Sequence, residues 1–294
     1  MRRSDVEFAS GGVPCRAWLY EPDTGNRPPI IVMAHGLGGV REMRLDAFAE
    51  RFADAGYACL VFDYRHFGSS AGLPRGLLSV RRQREDWSSA IAFARSLPQV
   101  DGSRVVLWGT SFGGGHVLAV GARERVAAVI AQCPFTSGVA SALAMEPLVA
   151  AKVTALALAD LAAAVVRRGP VRVPLAAHPG STALMTAPDV MDGYLALVPD
   201  GLDFTDAVAA RIGLVIPLLS PARAMRKAHA PTLVCACDRD TVAPAGPTIK
   251  AAEAAPKVTL KRYDEGHFDI YVGEWFERNV SDQLDFLARH VPLG

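Results

Sequence analysis

The order of elements predicts an α/β fold with a mostly parallel central sheet flanked by helices and an inserted helical cap. Three observations predict it. Short runs of β-branched and aliphatic residues with almost no polar alternation recur along the chain, as in strands covered on both faces. Helical patterns lie between these runs, so strand and helix alternate, which implies crossover helices on the faces of the sheet. Roughly 100 residues then separate the run ending near Gln132 from the one starting at Thr232, far more than a crossover needs, so a segment is inserted there.

Taken in order, Val6 to Ala9 and Val13 to Tyr20 alternate in polarity and are separated by Ser10-Gly11-Gly12, which reads as a hairpin at a sheet edge. After Pro28-Pro29 come the apolar strands Ile30 to Met33, Tyr57 to Phe62, Arg104 to Trp108 and Ala127 to Ala131. Helices are expected over Glu42 to Ala55, over Val80 to Ser96 and just after Ser111. The alternation resumes with the strand Thr232 to Cys237, a helix near Thr248 to Ala255, the strand Val258 to Tyr263 and a last amphipathic helix from about Glu274 to His290. Residues 1–137 and 226–294 are therefore assigned to one core domain and 138–225 to the cap. The cap is rich in Ala, Leu and Val, with helical stretches at Ser141 to Val166 and Thr205 to Leu214, broken by Pro170, Pro174, Pro179 and Pro188.

Composition narrows the classes of function. A chain of 294 residues, half of them apolar, can bury one large core and still carry an insert. With 31 basic and 30 acidic residues it has neither a cationic stripe nor a block of like charge, so nucleic acid is not expected as a partner. Five cysteines form an odd, sparse set, four of them in predicted strands, which fits a reducing cytoplasm. Cys235 and Cys237 alternate on one apolar strand with no His or third Cys nearby and read as packed thiols. No metal or cofactor site is expected. The first residues carry no apolar stretch of the kind a secretory signal has. The apolar segment Val149 to Val166 is interrupted by Lys152 and Asp160, so no membrane span is expected.

The strongest chemical signal is Gly109-Thr110-Ser111-Phe112-Gly113-Gly114, between the strand Val105 to Trp108 and the helical His116-Val117-Leu118-Ala119. This is a G-x-S-x-G turn in strand, turn, helix context, where glycines admit a sharp bend and the serine hydroxyl is lifted into the open. A serine hydroxyl is a poor nucleophile at neutral pH and needs a base, itself oriented by an acid. Both lie downstream. Cys237-Asp238-Arg239-Asp240-Thr241-Val242-Ala243-Pro244 places carboxylates just beyond a strand end, and Glu265-Gly266-His267-Phe268 places an imidazole in the loop before the last helix. Either Asp238 or Asp240 satisfies the order Ser, Asp, His.

With His35-Gly36-Leu37-Gly38-Gly39 and Asp63-Tyr64-Arg65-His66-Phe67-Gly68-Ser69-Ser70, these motifs resemble those of the α/β-hydrolase fold, near its esterase, dienelactone-hydrolase and prolyl-peptidase-like branches. The resemblance covers nearly the whole chain. It implies Ser111 as nucleophile, His267 as general base and then acid, and Asp240 as the orienting acid, because the family's acid usually stands four residues before a Pro and Pro244 is there. It also implies an oxyanion hole from the backbone N–H groups of Leu37 and Phe112. Such donors typically stabilise a tetrahedral intermediate by about 3 kcal/mol each. Many relatives have Gly where this chain has His66, a departure that narrows the space near the strand end without touching the three catalytic positions.

Other polar residues read as structural. His35 is expected behind the oxyanion loop, Asp63 and Arg65 in an ion pair or bonded to loop backbone, and Cys133 beside the pocket without a base of its own. Serine rather than aspartate at the turn points away from dehalogenase and epoxide hydrolase chemistry and toward acyl chemistry. The expected reaction is hydrolysis of a carboxylic ester, thioester or lactone of a small to medium acyl substrate through an acyl-enzyme. Acyl transfer, carbon-carbon hydrolysis or elimination on the same residues is the alternative, peptide cleavage is a weaker one, and non-catalytic binding is the weakest.

Overall fold

The computed structural model describes residues 1–23, 26–202 and 204–293. An antiparallel hairpin, β1 (Arg2–Ser10) and β2 (Val13–Glu21), pairs Ser10 with Val13 across its turn and forms one edge of an eight-stranded sheet. Beyond it stand β3 (Pro29–Ala34), β4 (Ala58–Phe62), β5 (Asp101–Thr110), β6 (Ala128–Gln132), β9 (Thr232–Cys237) and β10 (Val258–Tyr263). The spatial order is β1-β2-β4-β3-β5-β6-β9-β10, with β2 antiparallel to β4 and every later pair parallel. Strands β3, β4, β6 and β9 are buried at every position, which is why their sequences lack polar alternation.

The chain runs outward from β3 to β4, then returns to place β5 on the other side of β3. The carboxyl ends of β3 and β5 thus flank the point where the winding reverses, the crevice in which open α/β sheets hold ligands. Crossovers are made by α1 (Leu45–Asp54), α2 (Val80–Ser96) and α3 (Phe112–Gly121), while α9 (Ala245–Glu253) and α10 (Gly273–His290) complete the core. Helix α10 is bound to the middle of the sheet by buried amides. Asn279 and Gln283 both donate to Gln132 Oε1, at 2.5 and 3.1 Å, and Trp108 Nε1 donates to Gln283 Oε1 at 2.8 Å. Each of these polar groups is satisfied, as burial requires.

The insert differs from a purely helical cap. It contains α4 (Gly138–Ala144), α5 (Pro147–Val165), α6 (Val190–Leu195), α7 (Ile212–Val215) and α8 (Ala222–Met225), but also the antiparallel strands β7 (Arg172–Pro174) and β8 (Ala207–Ala209). The helix expected over Ser141 to Val166 is broken because Pro147 forces Glu146 into an extended conformation (ψ 133°) and then starts a new helix. The helix expected over Thr205 to Leu214 gives way to β8, whose Val208 pairs with Val173 of β7. Cross-strand burial outweighs local propensity there.

Asp160 interrupts the apolar sequence of α5, yet it is fully buried. It accepts the amides of Val171 and Arg211, each at 2.9 Å, and the Arg211 guanidinium at 2.6 and 3.0 Å. Among the described residues, α5 alone is long and apolar enough to cross a membrane by length and composition.

Candidate active site

Ser111 occupies the turn between β5 and α3 at φ 54°, ψ −120°, a conformation held by hydrogen bonds on both sides. Its N–H donates to Gln132 O at 2.9 Å, and its carbonyl accepts Phe135 N at 2.9 Å and Gly115 N at 3.2 Å. The flanking glycines are required by close approach of backbone. A Cβ on Gly113 would lie 2.4 Å from His35 O, and one on Gly36 would lie 2.7 Å from Ser111 Cβ. The local sequence therefore brings the β3 and β5 loops into contact at the serine.

The three residues expected to act together meet there. Ser111 Oγ lies 3.0 Å from His267 Nε2, and His267 Nδ1 lies 2.6 Å from Asp240 Oδ2. Asp240 Oδ1 accepts the amides of Val242 and Ala243 at 2.9 and 2.6 Å, so the carboxylate is fixed in place and acts as acceptor. Nδ1 must then carry the ring proton in the neutral imidazole, which leaves Nε2 to accept from the serine hydroxyl. The alternative acid, Asp238, instead pairs with Arg262 at 2.9 Å at the surface. It is two residues away in sequence but faces away from His267.

The loop after β3 is supported from behind by His35, buried as expected. Its Nδ1 accepts Gly36 N–H at 2.7 Å and its Nε2 donates to Met43 O at 3.0 Å. Desolvation pulls its pKa down to about 4, so it remains neutral and keeps this tautomer at physiological pH. Leu37 follows Gly36, and Phe112 directly follows Ser111. Among the described residues, neither backbone N–H has an acceptor within the chain.

Asp63 and Arg65 are structural but do not pair with each other. Asp63 accepts the amides of Arg41 and Ser69 at 2.9 and 3.1 Å, whereas Arg65 pairs with buried Asp86 at 2.6 Å. His66 has φ 74°, the left-handed region that favours the glycine usual at this place, and its Nε2 lies 2.9 Å from Arg82 Nη1. Cys133 is buried beside Thr110 and Tyr271, and desolvation pushes its thiol up to about 12, which keeps it protonated and unreactive.

Several residues with no motif to announce them complete the surroundings. Leu175 of the insert covers the loop after β3 so closely that a Cβ on Gly38 would lie 2.4 Å from its side chain. Helix α6 touches both downstream loops: Thr241 donates to Asp189 at 2.7 Å, and the Tyr194 ring lies 6.3 Å from that of Phe268, the neighbour of His267. Tyr194 Oη and Asp206 Oδ1 are buried in the insert with no hydrogen-bond partner among the described residues. A cavity of about 390 Å³, lined by Met145, Val153, Leu184, Met185, Val190 and Val242, lies between the insert and the loop that follows Asp240. None of these could be found from periodicity, because each depends on how the insert folds back on the core.

The sheet, the serine turn and the two downstream loops define a hydrolase of the α/β-hydrolase fold. The chain belongs to the family described as serine aminopeptidase, S33, whose model matches residues 25–272. It is 56% identical over 290 residues to the quorum-quenching protein AidA of Acinetobacter baumannii, covering 98% of this chain and 95% of that one. It is 37% identical over 135 residues to the thiohydrolase aneE of Aspergillus aculeatus, covering 45% of this chain and 41% of that one. The crystal structure of the α/β hydrolase GrgF from Penicillium sp. sh18 superimposes with a TM-score of 0.81 at 26% identity, covering 99% of each chain.

Proposed function

We propose that this protein hydrolyses an ester-type bond, whether ester, thioester or lactone, of a small acyl substrate through an acyl-enzyme on Ser111. The observation that carries the reading is the continuous hydrogen-bonded line from Asp240 through His267 to Ser111 Oγ, at 2.6 and 3.0 Å, on a strained turn. His267 takes the serine proton as Oγ attacks the acyl carbon, and Asp240 stabilises the imidazolium that forms. The N–H groups of Leu37 and Phe112 receive the oxyanion. His267 returns the proton to the leaving oxygen or sulfur, then activates water to release the acid.

The cavity beside Val242 suits the apolar part of the acyl group, with burial favourable by roughly 0.8 kcal/mol per methylene. The quorum-quenching name of the 56% identical relative puts small signal molecules first among the substrates to test.

A turnover screen across short and medium acyl esters, thioesters and lactones, with a fluorophosphonate probe alongside, tests the reading. Wild-type protein is expected to label and turn over at least one of these classes, and Ser111→Ala to do neither. A wild-type protein as resistant to the probe as Ser111→Ala would refute the activated serine.

Acyl transfer to an acceptor other than water is the second reading. It is favoured by the covering of the site, where His267 is only 2% exposed, because excluding water lets another nucleophile compete. Mass analysis of products formed with added alcohols or amines separates the two.

A further inference from the structure

Helices α2, α3 and α8 enclose a trench of about 460 Å³ that shares no lining residue with the line from Asp240 to Ser111. Four cations line it: Arg84 of α2, Arg123 just past α3, Arg223 of α8 and Lys227 just past α8. No acidic residue lines it. Among the described residues, none of the four side chains has a hydrogen bond or an ion pair within the chain. The acids closest in sequence are engaged elsewhere. Glu85 pairs with Arg65 at 3.2 Å and with Arg81, while Glu124 accepts from Ser88 at 3.1 Å and pairs with Arg95.

Other guanidiniums that turn inward find acids: Arg65 pairs with Asp86 and Arg211 with Asp160, both at 2.6 Å. Arg84 does not. Its Nε is buried without an acceptor, although buried donors are normally satisfied. Burial, and then nearby Arg123, hold its pKa below the ordinary guanidinium value. Like charges repel more strongly as the surroundings become less polar. An anion held between Arg84 and Arg123 would accept from that Nε and cancel the repulsion. The same two arginines and Leu219 also line an adjoining groove of about 1100 Å³. There Arg81 pairs with Glu85, Arg82 bonds His66 and Arg211 pairs with Asp160, so the uncompensated charge lies where the two spaces meet.

We propose that the trench between α2, α3 and α8 binds a diphosphate group, either as the inorganic ion or as the head of a small organic ester. Four uncompensated cations call for a ligand with more than one negative charge, and the planar fork of arginine matches phosphate oxygens two at a time. The volume lies within the range of about 300–1,000 Å³ usual for small-molecule sites. Leu218, 82% exposed, and Pro221 give the trench an apolar wall for the organic part of an ester.

Titration calorimetry of the full chain with inorganic diphosphate, adenosine diphosphate and citrate, at fixed ionic strength and without divalent cations, tests this. At least one of the two phosphate compounds is expected to bind saturably and about tenfold more tightly than citrate, an anion of similar charge without phosphorus. Tighter binding of adenosine diphosphate would assign the trench to an ester, and tighter binding of the inorganic ion to free diphosphate. Arg84→Gln and Arg123→Gln are each expected to weaken binding about tenfold, because each removes charge-assisted hydrogen bonds. Arg226→Gln, beside Lys227 in sequence but outside the trench lining, should leave it unchanged. Thermal unfolding checks that each variant folds, and if Arg84→Gln did not, exposed Arg123 would decide alone. No saturable binding by the wild type, citrate binding as tightly as the phosphates, or an affinity no more sensitive to Arg123→Gln than to Arg226→Gln would overturn the proposal.

Discussion

The hydroxyl of Thr241 donates to both carboxylate oxygens of Asp189, at 2.7 and 3.0 Å. Thr241 follows Asp240 in the core, and Asp189 begins helix α6 of the insert. The bond therefore ties the insert to the loop that holds Asp240, beside the amides of Val242 and Ala243 that fix its carboxylate.

This bond predicts a coupling. Thr241→Val and Asp189→Ala should each lower turnover about three- to tenfold by loosening the Asp240 carboxylate, with fluorophosphonate labelling slowed in proportion. The double variant should lose no more than the worse single one, because both remove the same interaction. Full additivity in a double-mutant cycle would mean that the two residues act separately.

The identity of the acid leads to a sharper contrast. Asp240→Asn should cost about 10⁴ in turnover, because an amide favours the wrong imidazole tautomer. Asp238→Asn should leave turnover unchanged, since its partner is surface Arg262 and not His267. Kinetics of the two variants on any substrate from the screen checks this, and the reverse pattern would exchange their roles.

Buried titratable groups away from the serine set the dependence of stability on pH. Desolvation lowers His35 to about 4, and desolvation with nearby Arg84 lowers His116 to about 3. The unfolded chain takes up these protons first, so both histidines make stability fall as pH drops below about 6.5. Asp63 acts in the opposite direction: desolvation and then Glu42 raise it to about 6. Folded protein holds that proton while the unfolded chain loses it near pH 4, so Asp63 makes stability fall as pH rises from about 4 to about 6. His116→Gln should therefore make the slope of stability against pH less positive in this window, by up to about 1.4 kcal/mol per pH unit. Asp63→Asn should make it more positive. Urea unfolding across the window measures both, and unchanged slopes would refute the assignment.

Much of the core was legible in the sequence for local reasons. The buried strands announced themselves because a strand covered on both faces has no polar positions to place, as Ile30 to Met33 and Thr232 to Cys237 illustrate. The serine turn was legible because only glycine can stand where Gly36 and Gly113 approach neighbouring chain. The insert was harder. Its α5 carries apolar residues on both faces, so periodicity could not locate the buried side, and β8 forms in a stretch of helical pattern because Val208 found a partner in Val173.

By itself the sequence determined the strand and helix order, the position of the serine turn and the two loops from which a base and an acid could come. All of these follow from short-range constraints: burial on two faces, turn geometry and the order of motifs. The tertiary structure decided which carboxylate meets His267, because Asp238 and Asp240 differ only in the direction each takes after β9. It also decided that Arg65 serves Asp86 rather than Asp63, that α6 leans on both loops beside the serine, and that one face of α5 stays uncovered. Those outcomes depend on contacts between residues far apart in the chain, and no local pattern encodes where such residues will meet.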